Sequence, residues 1–416
     1  MSTMPVTDAP APRPIDATLD PAPDAMLPFA QSQRSTVGIE WELALVDDDS
    51  GDMRQVAPAI MAALDRGGEH PHIQQEFMQN TVELVSGVSH TVAEAGRDLA
   101  QSGAQVRAIT DPMRVGLISA GTHPFAPWQA QKITEAKRYL TVLDRAAMLG
   151  QQVAIFGVHT HVGVEARAKV LPIMRTLLVY QPHLQALSAS SPYWDSRDTG
   201  YASMRALIFQ QLPTAGLPYQ FETWREFSGY VTDLLRTGVI SSYDEIRWDV
   251  RPALKYGTIE VRVCDGASNL QELLALAALT HCLIEWISTN IDDGAPLQTL
   301  RPWFVAENKW RAARYGLDAE IIIDDDGAQA PLRQLIPDLI TSLEPTAARL
   351  GCERELAAAR QILVTGASYE RQRRVYQLAK DRGAGDHEAL EAVVAHLVAE
   401  MRADRPLPAS YAAMWA

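Results

Sequence analysis

Two glutamates separated by one residue, Glu40 and Glu42, lie in the run GIEWE inside an apolar, strand-like segment. Alternation along a strand places both carboxylates on one face, while Ile39 and Trp41 pack on the other. Like charges this close repel each other, so one carboxylate takes up a proton or a cation lies between them. A divalent metal ion is a common natural solution. The alternative is a solvated strand edge on which both glutamates face water.

Two histidines repeat this spacing in FGVHTHVGV, where His159 and His161 share one face of a strand. Imidazole is the commonest metal ligand in proteins, so the pair suits chelation, although a hydrogen-bonded structural pair explains it equally well. Glu83 adds a carboxylate in the apolar run QNTVELVSG, with Glu76 and Asn80 upstream. An isolated buried carboxylate is costly, so Glu83 either joins a metal site or forms a salt bridge.

The run GTIEVRVCDG carries a carboxylate beside a guanidinium, because alternation puts Glu260, Arg262 and Cys264 on one face of a strand. If exposed, such an ion pair is worth less than about 1 kcal/mol and needs no functional explanation. In the functional interpretation, Glu260 holds a metal ion, and the planar donors of Arg262 bind a substrate carboxylate or a transferring phosphoryl group.

A local basic cluster precedes this strand in an otherwise acidic chain. The run RWDVRPALKYG contains Arg247, Arg251 and Lys255. Positive charge beside grouped carboxylates suits a polyphosphate, because the carboxylates hold Mg²⁺ and the cations take the remaining phosphate charge. Together these runs predict a metal-dependent polyphosphate site.

The elements that must position these side chains alternate between strands and helices. Strand-like, β-branched runs cover 36–47, the end of 74–88, 113–121, 153–164 and 257–266. Helical periodicity covers 91–109, 134–149, 166–188, 268–290 and much of the C-terminal third through 384–402. No Gly-rich turn follows the first strand and the dipeptide Gly-Lys is absent, which argues against a Rossmann fingerprint and excludes a Walker A loop. The pattern predicts an α+β fold with a mainly antiparallel sheet backed by helices.

Composition excludes several classes of function. The 416 residues carry a formal net charge of −14, which argues against a nucleic-acid or anionic-membrane partner. Three scattered cysteines are too few for a disulfide framework, so a cytoplasmic location is expected. Residues 1–33 are rich in Pro and Ala and are predicted to be a disordered tail. The apolar segment 270–287 is interrupted by polar residues, so no membrane span is predicted.

Nine sequence blocks in a fixed order carry a family resemblance. They are GIEWE, QNTVEL, AGTHPFAPW, HTHVG, SPYWDSRDTGYASMR, QQLPTAGLP, WDVRP, GTIEVRVCD and ENKWRAARYGLDA. Together they resemble the type 2 glutamate-cysteine ligases, or YbdK-type carboxylate-amine ligases, which are related to glutamine synthetase. The resemblance implies one catalytic domain over 34–416 with a helical C-terminal third. It also implies a curved antiparallel sheet that forms a funnel, with Mg-ATP entering at one end and an amino acid at the other.

The same resemblance assigns roles to individual residues. It implies Mg²⁺ ligands at Glu40, Glu42, Glu83, His159 and Glu260. It implies catalytic roles for Glu260 and for Arg262, which would steady the phosphoryl group. Expected substrate or nucleotide contacts are Arg205, Arg251, His161, Asn80 and Lys255.

The reaction that the resemblance implies joins a carboxylate, that of glutamate in this family, to cysteine or another amine through an acyl phosphate, with release of ADP and phosphate. A homodimer is suggested by the resemblance alone. Two alternatives stay open at this point. A metal-dependent amide hydrolase would also use a His-x-His strand, and a non-catalytic binding homologue would keep the fold without turnover.

Overall fold

The computed structural model of the protein describes residues 26–135 and 144–414. Its strands are β1 (Val37–Asp47), β2 (Ile73–Gln75), β3 (Thr81–Val85), β4 (Val115–Ile118), β5 (Gly157–Gly163), β6 (Tyr193–Trp194), β7 (Arg197–Asp198), β8 (Ala215–Gly216), β9 (Arg247–Trp248), β10 (Val250–Ala253), β11 (Thr258–Asp265), β12 (Glu320–Ile322) and β13 (Gln329–Pro331). Its α-helices are α1 (Ala57–Gly67), α2 (Val92–Thr110), α3 (Met148–Gln151), α4 (Arg167–Ser188), α5 (Met204–Phe209), α6 (Trp224–Arg236), α7 (Leu270–Asp292), α8 (Pro302–Tyr315), α9 (Leu332–Leu350), α10 (Glu353–Thr365), α11 (Ser368–Asp381) and α12 (Asp386–Ala403).

Seven of these strands form one sheet, and all its strand pairings are antiparallel. The order is β10-β11-β5-β1-β3-β2, with β4 beside β1. The long strand β1 lies at the centre because its first part pairs with β3 and β5 and its last part pairs with β4. Each of the five predicted strand runs contains a strand of this sheet. The predicted α+β fold with a mainly antiparallel sheet is therefore confirmed.

One face of β1 supplies the apolar core. The alternate residues that point to this core are Val37, Ile39, Trp41, Leu43 and Leu45. They share one cluster of buried side chains with α2, α4 and α7, and burial of each large apolar side chain contributes about 1.5–3 kcal/mol. The same alternation leaves the opposite face of β1 to Glu40 and Glu42, so core formation itself directs both carboxylates to one side of the sheet.

Helices α2, α4 and α7 pack against the core face of the sheet, whereas α12 packs mainly against the other face, around Ala44 and Val46 of β1. Those predicted at 91–109, 166–188, 268–290 and 384–402 are present as α2, α4, α7 and α12, whereas the one predicted at 134–149 lies mostly outside the described residues. The side chain of Asn269 caps α7 by accepting a hydrogen bond from the backbone N–H of Glu272 at 2.9 Å. By length and composition α7 could span a membrane, but 78% of its most apolar window is buried inside the protein. That degree of burial is typical of a central core helix.

The last third of the chain is mostly helical, with the short strands β12 and β13, and a buried ion cluster ties it to the core. Arg371 of α11 donates to Glu272 of α7 through Nη1 and Nη2, both at 2.7 Å. Its Nε donates to Glu400 of α12 at 2.6 Å. The arginine and Glu400 are almost fully buried, so each charge depends on the others for compensation.

The described part of the predicted N-terminal tail, 26–33, contains no helix or strand but contacts the body of the protein. The backbone carbonyl of Leu27 accepts a hydrogen bond from Trp224 Nε1 at 2.9 Å, and the ring of Phe29 packs edge-on against Trp224. Ala30 N–H donates to the carbonyl of Leu254 at 2.9 Å. Apolar side chains within the Pro- and Ala-rich run therefore attach this segment to α6 and to the end of β10. Residues 1–25 lie outside the described residues.

A β-bulge interrupts the pairing of β11 with β5. Val261 is opposite Thr160, but Cys264 is opposite Val158, so β11 has one residue more than β5 between these pairs. Arg262 N–H donates to the carbonyl of Asp249 at 2.7 Å inside the bulge. The extra residue reverses the alternation. Cys264 therefore lies on the core face with Val158, and the prediction that it shares a face with Glu260 is wrong.

Candidate active site

Acidic and imidazole side chains from four neighbouring strands, together with one residue just after β2, meet on the face of the sheet opposite the core. They form three overlapping groups, and within each group the potential ligand atoms lie within 4.8 Å of one another. We call them the His161 group (Glu40, His161, Glu260), the His159 group (Glu40, Glu83, His159) and the Glu76 group (Glu42, Glu76, Glu83). Glu40 and Glu83 each belong to two groups, so the seven side chains make one continuous cluster.

The strand register explains how residues far apart in sequence meet here. The directly opposed pairs are Glu42 with Glu83, Glu40 with His159, Glu260 with His161, and Arg251 with Glu260. The β carbons of opposed residues in antiparallel strands lie about 4.5–5.5 Å apart. The structure thus brings together all five predicted metal ligands, and His161 beside them.

The hydrogen bonds of His159 leave one ring nitrogen aimed at the carboxylates. Nδ1 lies 2.8 Å from Glu40 Oε2, and because a carboxylate only accepts, Nδ1 carries the proton. Burial, reinforced by the nearby charge of Arg262, lowers the pKa of His159 to about 4 and keeps the ring neutral. Nε2 is then a lone-pair acceptor, buried without a hydrogen-bond partner among the described residues and 3.9 Å from Glu42 Oε1. This is the arrangement of a histidine that ligates a metal while its other nitrogen is held by a carboxylate.

Glu40 is held in its charged form. Burial alone would raise its pKa, but hydrogen bonds from His159 and from His161 Nε2, the latter at 3.1 Å, outweigh burial and lower the pKa below its ordinary value. Nδ1 of His161 also lies 3.0 Å from Thr258 Oγ1, so this ring is fixed from both sides. Burial lowers the pKa of His161, yet the carboxylates of Glu260 and Glu40 raise it overall.

In the Glu76 group, unlike at Glu40, the surroundings raise the pKa values of the carboxyl groups. Burial and the charge of Glu76 raise the pKa of Glu42 to about 7. Burial, together with the carboxylates of Glu76, Glu40 and Glu42, raises the pKa of Glu83 well above its ordinary value. Three carboxylates that cannot all ionise together are well suited to a divalent cation with oxygen ligands. With the unpartnered nitrogen of His159, they fit the predicted Mg²⁺ site.

Two arginines clamp Glu260, which is 1% exposed. Arg251 Nε donates to Glu260 Oε2 at 2.6 Å, and Arg262 Nη1 donates to Oε1. Burial would raise the pKa of Glu260, but the two guanidinium groups hold it well below its ordinary value. Arg262 Nε is buried without a hydrogen-bond partner among the described residues. The clamp concentrates fixed positive charge beside the His161 group.

Arg205 reaches the site across a glycine. It lies at the start of α5, and its guanidinium lies against Gly157 of β5, where an added Cβ would be 2.2 Å from Arg205 Nη2. Gly157 N–H donates to Glu42 Oε2 at 2.5 Å, and Arg205 Nη1 donates to the carbonyl of Arg262 at 3.3 Å. The ring of Phe209 packs near both guanidinium groups. Arg205, predicted only from its sequence block, is therefore beside the cluster.

The buried carboxylate of Asp265 is linked by hydrogen bonds to the backbone of Arg205. Asp265 accepts hydrogen bonds from Ser191 Oγ at 2.6 Å and from Ser203 Oγ at 2.7 Å. Ser191 Oγ in turn accepts from the backbone N–H of Arg205 at 3.0 Å. Burial raises the pKa of Asp265, and the hydroxyl donors partly offset this. The start of α5 is thus fixed to the end of β11.

Two predicted contacts are not part of the ligand cluster. Asn80 is fully buried, and its Nδ2 donates to Gln131 Oε1 at 2.7 Å. It lies in the turn before β3, where Nδ2 also contacts Met53 Sδ. These contacts are structural, and the substrate contact of Asn80 stays a prediction. Lys255 is exposed in the turn between β10 and β11, at the rim of the site.

Glu76 is a candidate ligand that sequence reasoning did not assign. It follows β2 directly, and β2 pairs with β3 next to Glu83. The residue was visible upstream of Glu83, but only the pairing of an edge strand three residues long brings it to the cluster. Tyr256, whose ring contacts His161, was also missed.

Comparisons with known proteins identify the family of the chain. The family model described as Glutamate-cysteine ligase family 2 matches residues 36–396. The chain belongs to this family. It is 52% identical to a protein of Arthrobacter sp. (strain FB24) that carries the provisional name glutamate--cysteine ligase 2-1, over 90% of this chain and 98% of that protein. It is also 52% identical to a protein of Mycobacterium tuberculosis (strain ATCC 25177 / H37Ra) with the provisional name glutamate--cysteine ligase 2, over 91% of this chain and 98% of that protein.

Among solved structures, the chain is similar to a glutamate–cysteine ligase of Francisella tularensis in complex with AMP. The TM-score is 0.63 at 13% identity, with 93% of this chain and 92% of that chain covered. This likeness shows that the two chains share a fold. Membership of glutamate-cysteine ligase family 2 makes the protein a ligase that forms C–N bonds, and it favours that activity over amide hydrolysis.

Proposed function

We propose that the protein is a Mg-ATP-dependent carboxylate–amine ligase that activates a carboxylate as an acyl phosphate. The observation that carries the proposal is the direct contact between the ligand cluster and the arginine clamp: Glu260 belongs to the His161 group and binds both Arg251 and Arg262. We propose glutamate as the carboxylate and cysteine or another amine as the acceptor, as for the named relatives.

The reaction has two displacements. A carboxylate oxygen attacks the γ-phosphorus of ATP, the bond to the β-phosphate oxygen breaks, and ADP leaves. The amine nitrogen then attacks the acyl carbon, the bond to the phosphate oxygen breaks, and phosphate leaves while the nitrogen loses a proton. Mg²⁺ bound by the three groups would neutralise the charge of the phosphate oxygens. No protein nucleophile is needed.

The distribution of charge suggests how the substrates are arranged. Arg251 and Arg262 both lie beside the His161 group, so we place the phosphates of ATP there. Arg262 Nε and Arg205 Nε are buried donors without a partner among the described residues, and they are suited to the transferring phosphoryl group. The carboxylate substrate would then approach from the side of the Glu76 group.

We also propose a cytoplasmic location, which the three buried, free cysteines favour. A homodimer is proposed from family likeness only.

The test is ADP release with Mg²⁺, glutamate and a panel of amines, for the wild type and for Glu83→Gln. Glutamine mimics the protonated carboxyl that burial favours at this position, so the fold should be unaffected. We expect ADP release to fall by at least about 100-fold, because even outer partners of metal ligands are worth roughly 10–100-fold. The matched control is Glu320→Gln at an exposed position of β12, which should keep full activity. Amide hydrolysis without ADP would contradict the proposal.

A further inference from the structure

Tyr256 lies at the mouth of the site and has no role in the reaction described so far. Its side chain belongs to the turn between β10 and β11 and is 59% exposed. Its ring packs edge-on against the ring of His161, with 6.0 Å between centroids. Lys255 Nζ lies 5.4 Å from the centroid of the same ring. An aromatic platform with a cation beside it therefore borders the His161 group.

The turn that carries this platform is held firmly. The backbone N–H groups of Tyr256 and Gly257 both donate to the carbonyl of Ala253 at 3.0 Å. Gly257 has φ +68°, and a Cβ there would lie 2.3 Å from the carbonyl oxygen of Ala30, so only glycine fits. Because the N-terminal segment and the end of β10 fix the backbone of the turn, Tyr256 is held at the mouth of the site before any ligand arrives, which reduces the entropy lost on binding.

The position of the Tyr256 ring favours contact with one particular substrate of the proposed reaction. Under the proposed function, the phosphates of ATP lie beside the arginine clamp at the His161 group, and Tyr256 is the exposed aromatic that contacts this group. ATP is also the one substrate of the proposed reaction that must contain an aromatic ring. We propose that Tyr256 stacks on the adenine base of ATP. This inference rests on the proposed function and extends it by naming the nucleobase subsite.

Stacking of the base on Tyr256 predicts that removal of the ring weakens the binding of nucleotides in particular. Removing such a ring costs about 1–3 kcal/mol per base, which corresponds to a loss of affinity of roughly 5- to 150-fold. The loss should appear for ligands that contain the base and not for those that contain phosphate alone. A ring that only supported His161 would weaken both kinds of ligand.

The experiment is titration calorimetry of the full-length protein with ADP and, separately, with inorganic pyrophosphate, both with Mg²⁺. We expect Tyr256→Ala to weaken ADP binding by about 10-fold or more and to leave pyrophosphate binding within about 2-fold. Tyr256→Phe should bind both ligands like the wild type. Tyr315→Ala, at another exposed tyrosine, whose ring contacts Trp310 and Arg314, is the matched control.

Two results would overturn the assignment of Tyr256: equal losses for ADP and pyrophosphate, or unchanged ADP binding by Tyr256→Ala. Failure of the wild type to bind ADP at all is a different outcome, because it would contradict the proposed function and the base subsite together.

Discussion

Replacing Gly157 by alanine should greatly reduce the rate of ADP release and preserve the fold. The new Cβ would lie 2.2 Å from Nη2 and 2.7 Å from Cζ of Arg205. Since carbon contacts are comfortable near about 3.5 Å, the guanidinium must move by roughly 1 Å or more. A misplacement of about 1 Å can cost roughly 100-fold in rate, so we expect kcat/KM to fall by about that factor. The backbone of Gly157 belongs to an extended strand, and the atoms that must move end a long side chain, so the melting temperature should change little.

Steady-state kinetics of ADP release and thermal unfolding together check this prediction. Gly229→Ala is the matched control, because no heavy atom lies within 4 Å of the added Cβ in α6. A double-mutant cycle tests the cause: if Gly157→Ala acts through Arg205, the variant Gly157→Ala/Arg205→Ala should be no slower than Arg205→Ala. Full activity of Gly157→Ala would refute the contact between Arg205 and the reaction centre.

Two further predictions concern stability. Burial and the charge of Glu76 raise the pKa of Glu42 from 4.5 to about 7, so as the pH rises Glu42 ionises earlier in the unfolded chain than in the folded protein. Between these two pH values, the free energy of unfolding of the metal-free protein should therefore fall by about 3 kcal/mol relative to that of Glu42→Gln. Chemical denaturation in EDTA at several pH values measures this free energy. Parallel pH profiles of the free energy of unfolding for the two proteins, or a free energy that does not recover when Mg²⁺ is added, would contradict the prediction. Arg371→Ala leaves Glu272 and Glu400 buried without their cation and should cost about 3–5 kcal/mol. Arg373→Ala, which removes an exposed pair with Asp198, should cost less than about 1 kcal/mol in the same assay.

Local alternation was enough to predict the strands and to direct most of the candidate ligands to one face. Glu40 and Glu42, His159 and His161, and Glu260 each lie in a run whose apolar partners define the opposite face. These residues therefore point to the site whichever strands become neighbours. The arginines followed from their proximity in sequence to Glu260 or from family resemblance.

The remaining features depend on long-range pairing that sequence does not encode locally. The bulge at Arg262 turns Cys264 to the core face, and within it the Arg262 N–H donates to the carbonyl of Asp249, a residue thirteen positions away. Glu76 enters the cluster through the short edge strand β2. The place of Arg205 depends on the missing side chain of Gly157, a contact between residues 48 positions apart. Asn80 was expected at the site from the family resemblance, but it lies in the turn before β3, where its amide binds Gln131.

The most direct test of the account follows one oxygen atom. Glutamate labelled with oxygen-18 in its γ-carboxylate is supplied with Mg-ATP and an accepted amine, and the released phosphate is analysed by mass spectrometry. An acyl phosphate intermediate predicts that each phosphate carries one labelled oxygen taken from the carboxylate. Release of ADP with unlabelled phosphate would show that water had attacked ATP, and it would contradict the account.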